Sequence, residues 1–219
     1  MDRFTAAMRQ ILTLLTLVPL LALTACNASM GERMGRAVTS LEGFQKSESP
    51  IPSAVFANAK GVAVLRETSA ALVVGGSGGE GVFVKRSGMG WSAPVAIDVA
   101  GATIGLQAGG QTRDIVLVMN TEDEVSKFLD DGVYGLAEMS AVAGPSRVDP
   151  ANSAGGLPAA YYYLRTEGVF GGVLVGGVTF RVADKVNRGM YGDDHSLDDI
   201  LTGKVRAPSG SSVLWQMLN

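Results

Sequence analysis

The 219-residue chain has one cysteine, one histidine, 18 basic against 21 acidic residues, and only 6% aromatic residues. Each scarcity excludes something. A lone cysteine forms no disulfide within the chain, and one cysteine with one histidine cannot build a tetrahedral zinc site. A formal net charge of −3 without any polybasic run argues against a general nucleic-acid binder. The longest apolar run, 11–23, falls short of the ~20 residues that cross a hydrocarbon core. Any Ser–His or Cys–His nucleophile must draw on His195, the sole histidine. Composition therefore points to a domain without metal or cofactor.

The apolar run carries an address instead. It follows Arg3 and Arg9 and closes on Leu23-Thr24-Ala25-Cys26, giving the positive, apolar and small-residue regions of a secretory signal in order. The closing tetrapeptide resembles a bacterial lipobox. That resemblance implies a leader over residues 1–25, cleavage before Cys26, and acylation of both its thiol and its new amino end. The alternative is an ordinary leader ending at a free cysteine. Cys26 is accordingly the expected lipid anchor, since several acyl chains hold far more firmly than one at ~0.8 kcal/mol per buried CH₂. Asn27 after the cysteine, by similarity to proteobacterial sorting rules, implies the outer membrane of a bacterial cell envelope, facing the periplasm. Loss of residues 1–25 leaves 16 basic and 20 acidic residues, net −4, on 194 residues. That length supports one well-filled core.

The 29 glycines exceed the ~7% of an average protein and sit inside apolar runs, which argues for bent or closely packed strands rather than disorder. Residues 26–50 read as a lipidated N-terminus and an amphipathic helix, with Met30, Met34, Val38, Leu41 and Phe44 at three- and four-residue steps. Residues 51–219 read as the globular domain. A short helix is expected over 53–59, then short apolar strands at 62–65, 71–74, 82–85, 91–97, 103–107 and 114–119, spaced like antiparallel hairpins. Thr121 with Glu124 opens a helix to about residue 130. Strands resume at 133–142, 159–165 and 168–182, interrupted by a loop over 145–158. Ser196 with Asp199 starts a short helix closed by Gly203, and Ser209 or Ser211 caps a last helix. The fold class is α+β: a strongly bent antiparallel sheet, curled toward a barrel, with short peripheral helices and an N-terminal amphipathic helix.

Residues 75–81, Gly-Gly-Ser-Gly-Gly-Glu-Gly, satisfy both the dinucleotide-binding G-x-G-x-x-G and the hydrolase G-x-S-x-G patterns. Both mechanisms need a helix directly afterwards, and the strand-like Val82-Phe83-Val84-Lys85 follows instead. A glycine-rich hairpin turn or bulge is the expected reading. A hydrolase using Ser77 with His195 remains as an alternative, with His195 otherwise an exposed residue before a helix. Asp193, Asp194, Asp198 and Asp199 lack the ligand spacing of a calcium loop and read as an acidic helix start. The cations Lys60, Arg66, Lys85, Arg86, Arg165, Arg181, Lys185 and Arg188 are scattered over strand ends and turns. Of these, Lys60, Lys85 and Arg86 are the candidate phosphate contacts, with Trp91 beside them as an interfacial aromatic.

Several dispersed segments are similar to the SYLF domain family. They comprise Asn58-Ala59-Lys60-Gly61, the 75–81 glycines, Trp91-Ser92-Ala93-Pro94, 105–109, Asp114, 119–121, Phe128, Ala143-Gly144-Pro145, Tyr163, 168–172, Asn187, Tyr191-Gly192 and 199–201. The resemblance covers about residues 35–205. It implies phospholipid binding, of phosphoinositides in eukaryotic members, some of which also bind actin, and a lipoprotein in bacterial members. The family mode joins a basic surface to an amphipathic N-terminal helix. Here Lys60 occupies the motif lysine and residues 28–46 supply the helix. In an acidic domain, recognition falls to a local cluster: Lys60, Lys85 and Arg86 on phosphate, Trp91 and the Met30/Met34/Phe44 face on the bilayer. The expected partner is a phospholipid membrane. A tethered structural or protein-interaction module, with an envelope protein as partner and no lipid ligand, is the competing reading.

Overall fold

A computed structural model describes residues 28–88, 90–130, 134–135, 141–145, 157–172 and 175–219. The leader, Cys26 and most of the 145–158 loop lie outside the described residues. The elements run α1 (Met30–Gln45), α2 (Ser53–Ala57), β1 (Gly61–Ser87), β2 (Gly90–Trp91), β3 (Val95–Met119), α3 (Glu122–Leu129), β4 (Tyr134–Gly135), β5 (Ala141–Ala143), β6 (Ala160–Gly172), β7 (Val175–Val182), α4 (Asp184–Tyr191), α5 (Leu197–Leu201) and α6 (Ser211–Met217). The α+β expectation holds. The sheet is open, ordered β2-β1-β3-β6-β5, with β7 on β3 and β4 on β7, and it does not close into a barrel. Every pairing but β5–β6 is antiparallel.

The expected short hairpins are replaced by one long one. β1 has 27 residues and β3 has 25, paired from Gly61↔Met119 to Phe83↔Val95. The glycine run 75–81 is therefore no hairpin turn: it lies mid-strand, opposite 97–103. The register breaks once, where Leu72 pairs with Ala108 but Val74 pairs with Ile104. At the same level β3 changes partner, from β7 over 97–104 to β6 over 107–119. The hairpin doubles back there. A Cβ on Gly79 would overlap the Arg66 carbonyl oxygen and lie 2.7 Å from the Glu67 Cα; one on Gly81 would do the same to Val64 and Leu65. Two halves of a single strand thus touch backbone to backbone, and only glycine fits between them.

Side-chain parity sorts the core, because alternate residues face opposite sides of a strand. Ala63, Leu65, Phe83, Ile97, Val99, Ile115, Leu117 and Met119 meet Val125 and Phe128 of α3, Phe180 of β7 and Ile200 of α5. Their even-numbered neighbours Val62, Val64, Val82, Val84, Val116 and Val118 meet α1, α2 and α6. α1 buries Met30, Met34, Ala37, Leu41 and Phe44 there, and its Ser29–Glu32 capping box is complete. Thr121 caps α3, and Ser196 with Asp199 boxes α5, as expected. α6 departs from expectation: Gly210, at φ 93°, precedes it in place of a serine cap. α4 is an addition. Its Asn187 side chain accepts from the Ala96 amide at 2.8 Å and donates to the Ala96 carbonyl at 3.3 Å, acting as a strand partner. Among the described residues no helix is long and apolar enough to cross a membrane.

Candidate functional site

The backbones of Lys60, Lys85, Arg86 and Trp91 come together where the two ends of the doubled hairpin meet, with the Lys85 and Arg86 side chains on opposite faces of β1. Lys60 precedes β1; its amide donates to the Met119 carbonyl at 2.7 Å and its carbonyl accepts from the Arg86 amide at 2.8 Å. Ser92 clamps the opposite side: its amide donates to the Lys85 carbonyl at 2.7 Å while its Oγ accepts from the Lys85 amide at 3.0 Å. Backbone pairing thus brings three cations from distant positions onto one end of the sheet.

Their side chains differ in freedom. Lys60 is exposed and has no ion pair among the described residues. The Lys85 ammonium reaches Glu122, in the first turn of α3, at 3.0 Å. Arg86 donates to the Ala59 and Phe56 carbonyls at 3.1 and 2.8 Å, at the end of α2, where the Phe56 carbonyl also accepts from the Ala59 amide. Its guanidinium lies 3.9 Å from the centre of the Trp91 ring, a cation–π contact. Partial burial lowers the pKa of Arg86, though an arginine stays charged throughout. Trp91 itself is 7% exposed and packs in the α1-side core, so it braces Arg86 from within rather than projecting outward. The Met30/Met34/Phe44 face is buried in the same core, at 2%, 5% and 4% exposure.

Two charged rows cross the sheet beneath α1. Arg66, Asp114 and Arg165 are cross-strand neighbours on β1, β3 and β6. Asp114, 2% exposed, accepts from Arg66 Nε at 2.7 Å, Arg165 Nη2 at 2.5 Å and Ser40 Oγ of α1 at 2.8 Å. Burial pushes its carboxyl upward, but hydrogen bonds from Arg66, Ser40 and Arg165 together hold it below the usual range. Glu80, Asp98 and Arg181 form the second row on β1, β3 and β7. Arg33 of α1, 1% exposed, donates to the Ile97 carbonyl at 2.7 Å and Asp98 at 2.9 Å, lies 3.7 Å from Glu80, and holds the Ala28 carbonyl at 2.9 Å. Arg36 pairs with Glu80 as well. These docking charges escape a reading by charge density. Arg33 does leave one signal: it lies on the same helical face as Met30 and Ala37, where a solvated cation does not belong.

The hydrolase alternative finds no support in placement. Ser77 is buried mid-β1, and its Oγ has no hydrogen-bond partner among the described residues. His195 is exposed in the turn between α4 and α5. Asp198 and Asp199 pair with Lys204 at 3.4 and 2.8 Å, and among the described residues no group of His, Cys, Asp and Glu is arranged to hold a metal.

The family model described as Las17-binding protein actin regulator matches residues 100–219. LAS seventeen-binding protein 3 of Saccharomyces cerevisiae is 36% identical over 174 residues, covering 77% of this chain and 38% of the yeast protein. Protein YSC84 of the same yeast is 35% identical over 174 residues, 77% of this chain and 37% of its own. The SH3 domain-containing YSC84-like protein 1 of Rattus norvegicus is 33% identical over 186 residues, 83% of this chain and 54% of the rat protein. The chain thus spans about two fifths of the yeast relatives and about half of the rat one. One of these names describes a binding protein and the family description an actin regulator; none names an enzyme. No solved structure matches the chain.

Proposed function

The chain belongs to the Ysc84 family, the SYLF domain family, and from that premise we propose that it is a membrane-anchored envelope lipoprotein whose domain binds phospholipid head groups. The observation that carries this reading is the meeting of Lys60, Lys85 and Arg86 at one end of the sheet. Two ammonium groups and a guanidinium at one end of the sheet, Lys85 on its α3 face and Arg86 on its α2 face, offer point charges and a planar fork, the donors that phosphate oxygens take. Arg86 supplies the fixed element, held against α2 and Trp91, while Lys60 and Lys85 adapt to the ligand. An acylated Cys26 supplies attachment. Held at the bilayer, the domain sees head groups at high effective concentration, so three cations on an acidic domain are enough. The buried apolar face of α1 restricts the contact to head groups, because Met30, Met34 and Phe44 reach acyl chains only if α1 leaves the sheet.

Native mass spectrometry of the protein purified from bacterial membranes tests both halves. Acyl mass on Cys26 and co-purifying phospholipid are the expected result. A mature chain, residues 26–219 with Cys26→Ser, that fails to float with vesicles of any phospholipid composition would sink the lipid-binding half.

The second reading is a tethered protein-interaction module. The name of one yeast relative, LAS seventeen-binding protein 3, favours it, and so does the burial of the apolar face of α1. Hydrogen exchange separates the two: unchanged protection of residues 58–61 and 84–92 on adding anionic vesicles speaks for the module.

A further inference from the structure

On the β7–α4 side of the molecule, two hollows of about 770 and 240 Å³ share Val182, Asp184, Arg188 and Leu197 and so form one cleft. The larger lies within the roughly 300–1,000 Å³ of small-molecule sites. Its lining divides by chemistry. Leu129, Val182, Val186 and Leu197 contribute half-buried aliphatic surface. Arg181, Lys185 and Arg188 stand around it as exposed cations.

Those cations are loosely held. Arg181 lies 3.8 Å from Asp98, with 67% of its side chain exposed, and Arg188 lies 3.7 Å from Asp193, whose side chain is 88% exposed. Contacts of that length between solvated groups contribute little and are readily exchanged. Lys185 has no ion pair among the described residues. The opposing carboxylates are Asp98, Asp184 and Asp193, and Asp98 is already neutralised by Arg33 at 2.9 Å, leaving two against three cations. The cleft therefore carries a positive excess above an aliphatic floor.

We propose that this cleft binds a single-chain anionic amphiphile: an alkyl body on the Leu129/Val182/Leu197 floor, with one anionic head between Arg181 and Lys185. The site shares no residue with the Lys60/Lys85/Arg86 cluster and stands whether or not that cluster binds head groups.

Calorimetric titration of the mature chain, residues 26–219 with Cys26→Ser, tests it, with octyl phosphate below its micelle concentration as the probe. Octyl phosphate is expected to bind one site at least tenfold more tightly than inorganic phosphate or octyl glucoside, each of which carries half of the recognised chemistry. Arg181→Glu with Lys185→Glu is expected to weaken it at least tenfold. The charge-keeping exchange Arg181→Lys with Lys185→Arg, which controls for folding, is expected to stay within threefold. Lys60→Glu with Lys85→Glu is expected to leave octyl phosphate binding unchanged even if it abolishes vesicle flotation. Equal affinity for octyl phosphate and inorganic phosphate, or unaltered binding after charge reversal, overturns the proposal.

Discussion

The two charged rows under α1 are built alike and balanced differently. Arg66–Asp114–Arg165 alternates in sign, so the central carboxylate is neutralised within the sheet and α1 adds only the Ser40 hydroxyl. Glu80–Asp98–Arg181 sets two carboxylates directly opposite each other, an unfavourable cross-strand pair on its own. Arg33 and Arg36 of α1 supply what that row lacks. The N-terminal half of the helix is therefore an electrostatic component of the sheet, whereas its C-terminal half is held by apolar packing and one hydroxyl. Complementary charge fixes where α1 lies, while Met30, Met34, Leu41 and Phe44 supply most of the burial, at about 1.5–3 kcal/mol for each large apolar side chain.

The comparison breaks most sharply at Arg33. Arg33→Met is expected to lower stability by about 3–5 kcal/mol, because it removes the close partner of Asp98 beside Glu80 and leaves the Ile97 and Ala28 carbonyls without their donor. Adding Glu80→Gln is expected to restore much of that loss in a urea-denaturation double-mutant cycle; strictly additive effects would refute the coupling. Asp114→Asn is expected to cost less, about 1.5–3 kcal/mol, since Arg66 and Arg165 remain partly open to water. Asp114 also sets an acid limb. Its folded-state pKa is depressed, so its contribution is complete above the unfolded value of about 3.9 and fades as pH falls through the lower folded value. Urea midpoints of the parent should therefore fall more steeply below about pH 4 than those of Asp114→Asn. Ser40→Ala is expected to cost about 1 kcal/mol, one hydrogen bond on a carboxylate that keeps its arginines. Smallest is Arg181→Gln, at within about 0.5 kcal/mol, because that end of the second row is solvated. A large effect there would mean that the row is neutralised within the sheet after all.

Much of this arrangement was legible locally. The α1 stripe at Met30, Met34, Leu41 and Phe44, the Thr121 cap, the Ser196–Asp199 box and a bent antiparallel sheet all follow from short-range patterns, and the structure carries them. Strand length was not legible. Glycine pairs normally signal turns, but Gly75 to Gly79 pair across the hairpin with Val99 to Thr103, so β1 and β3 run on through the bend. The rows were hidden because their members lie far apart in the chain: Arg66 and Asp114 by 48 residues, Asp114 and Arg165 by 51. Only register makes them neighbours. α4 was missed because a single residue of its eight, Asn187, is buried, and that one is polar. At the candidate site the residue types were readable but not their freedom. Sequence placed Arg86 and Trp91 together; it could not show that α2 carbonyls and the core would hold them.

The long reach of the α1 contacts also orders events in time. As the chain emerges from a ribosome, α1 comes early, while Asp98 follows Arg33 by 65 residues, Asp114 follows Ser40 by 74, and Ser211, whose hydroxyl meets the Met34 sulfur, comes 177 later. Until then the helix presents an apolar stripe, with an arginine set in it, and has no sheet to dock on. Non-local contacts of this kind form slowly, since the intervening loop must close first. The nascent domain is therefore most in need of a chaperone, or most open to aggregation, before α1 is covered.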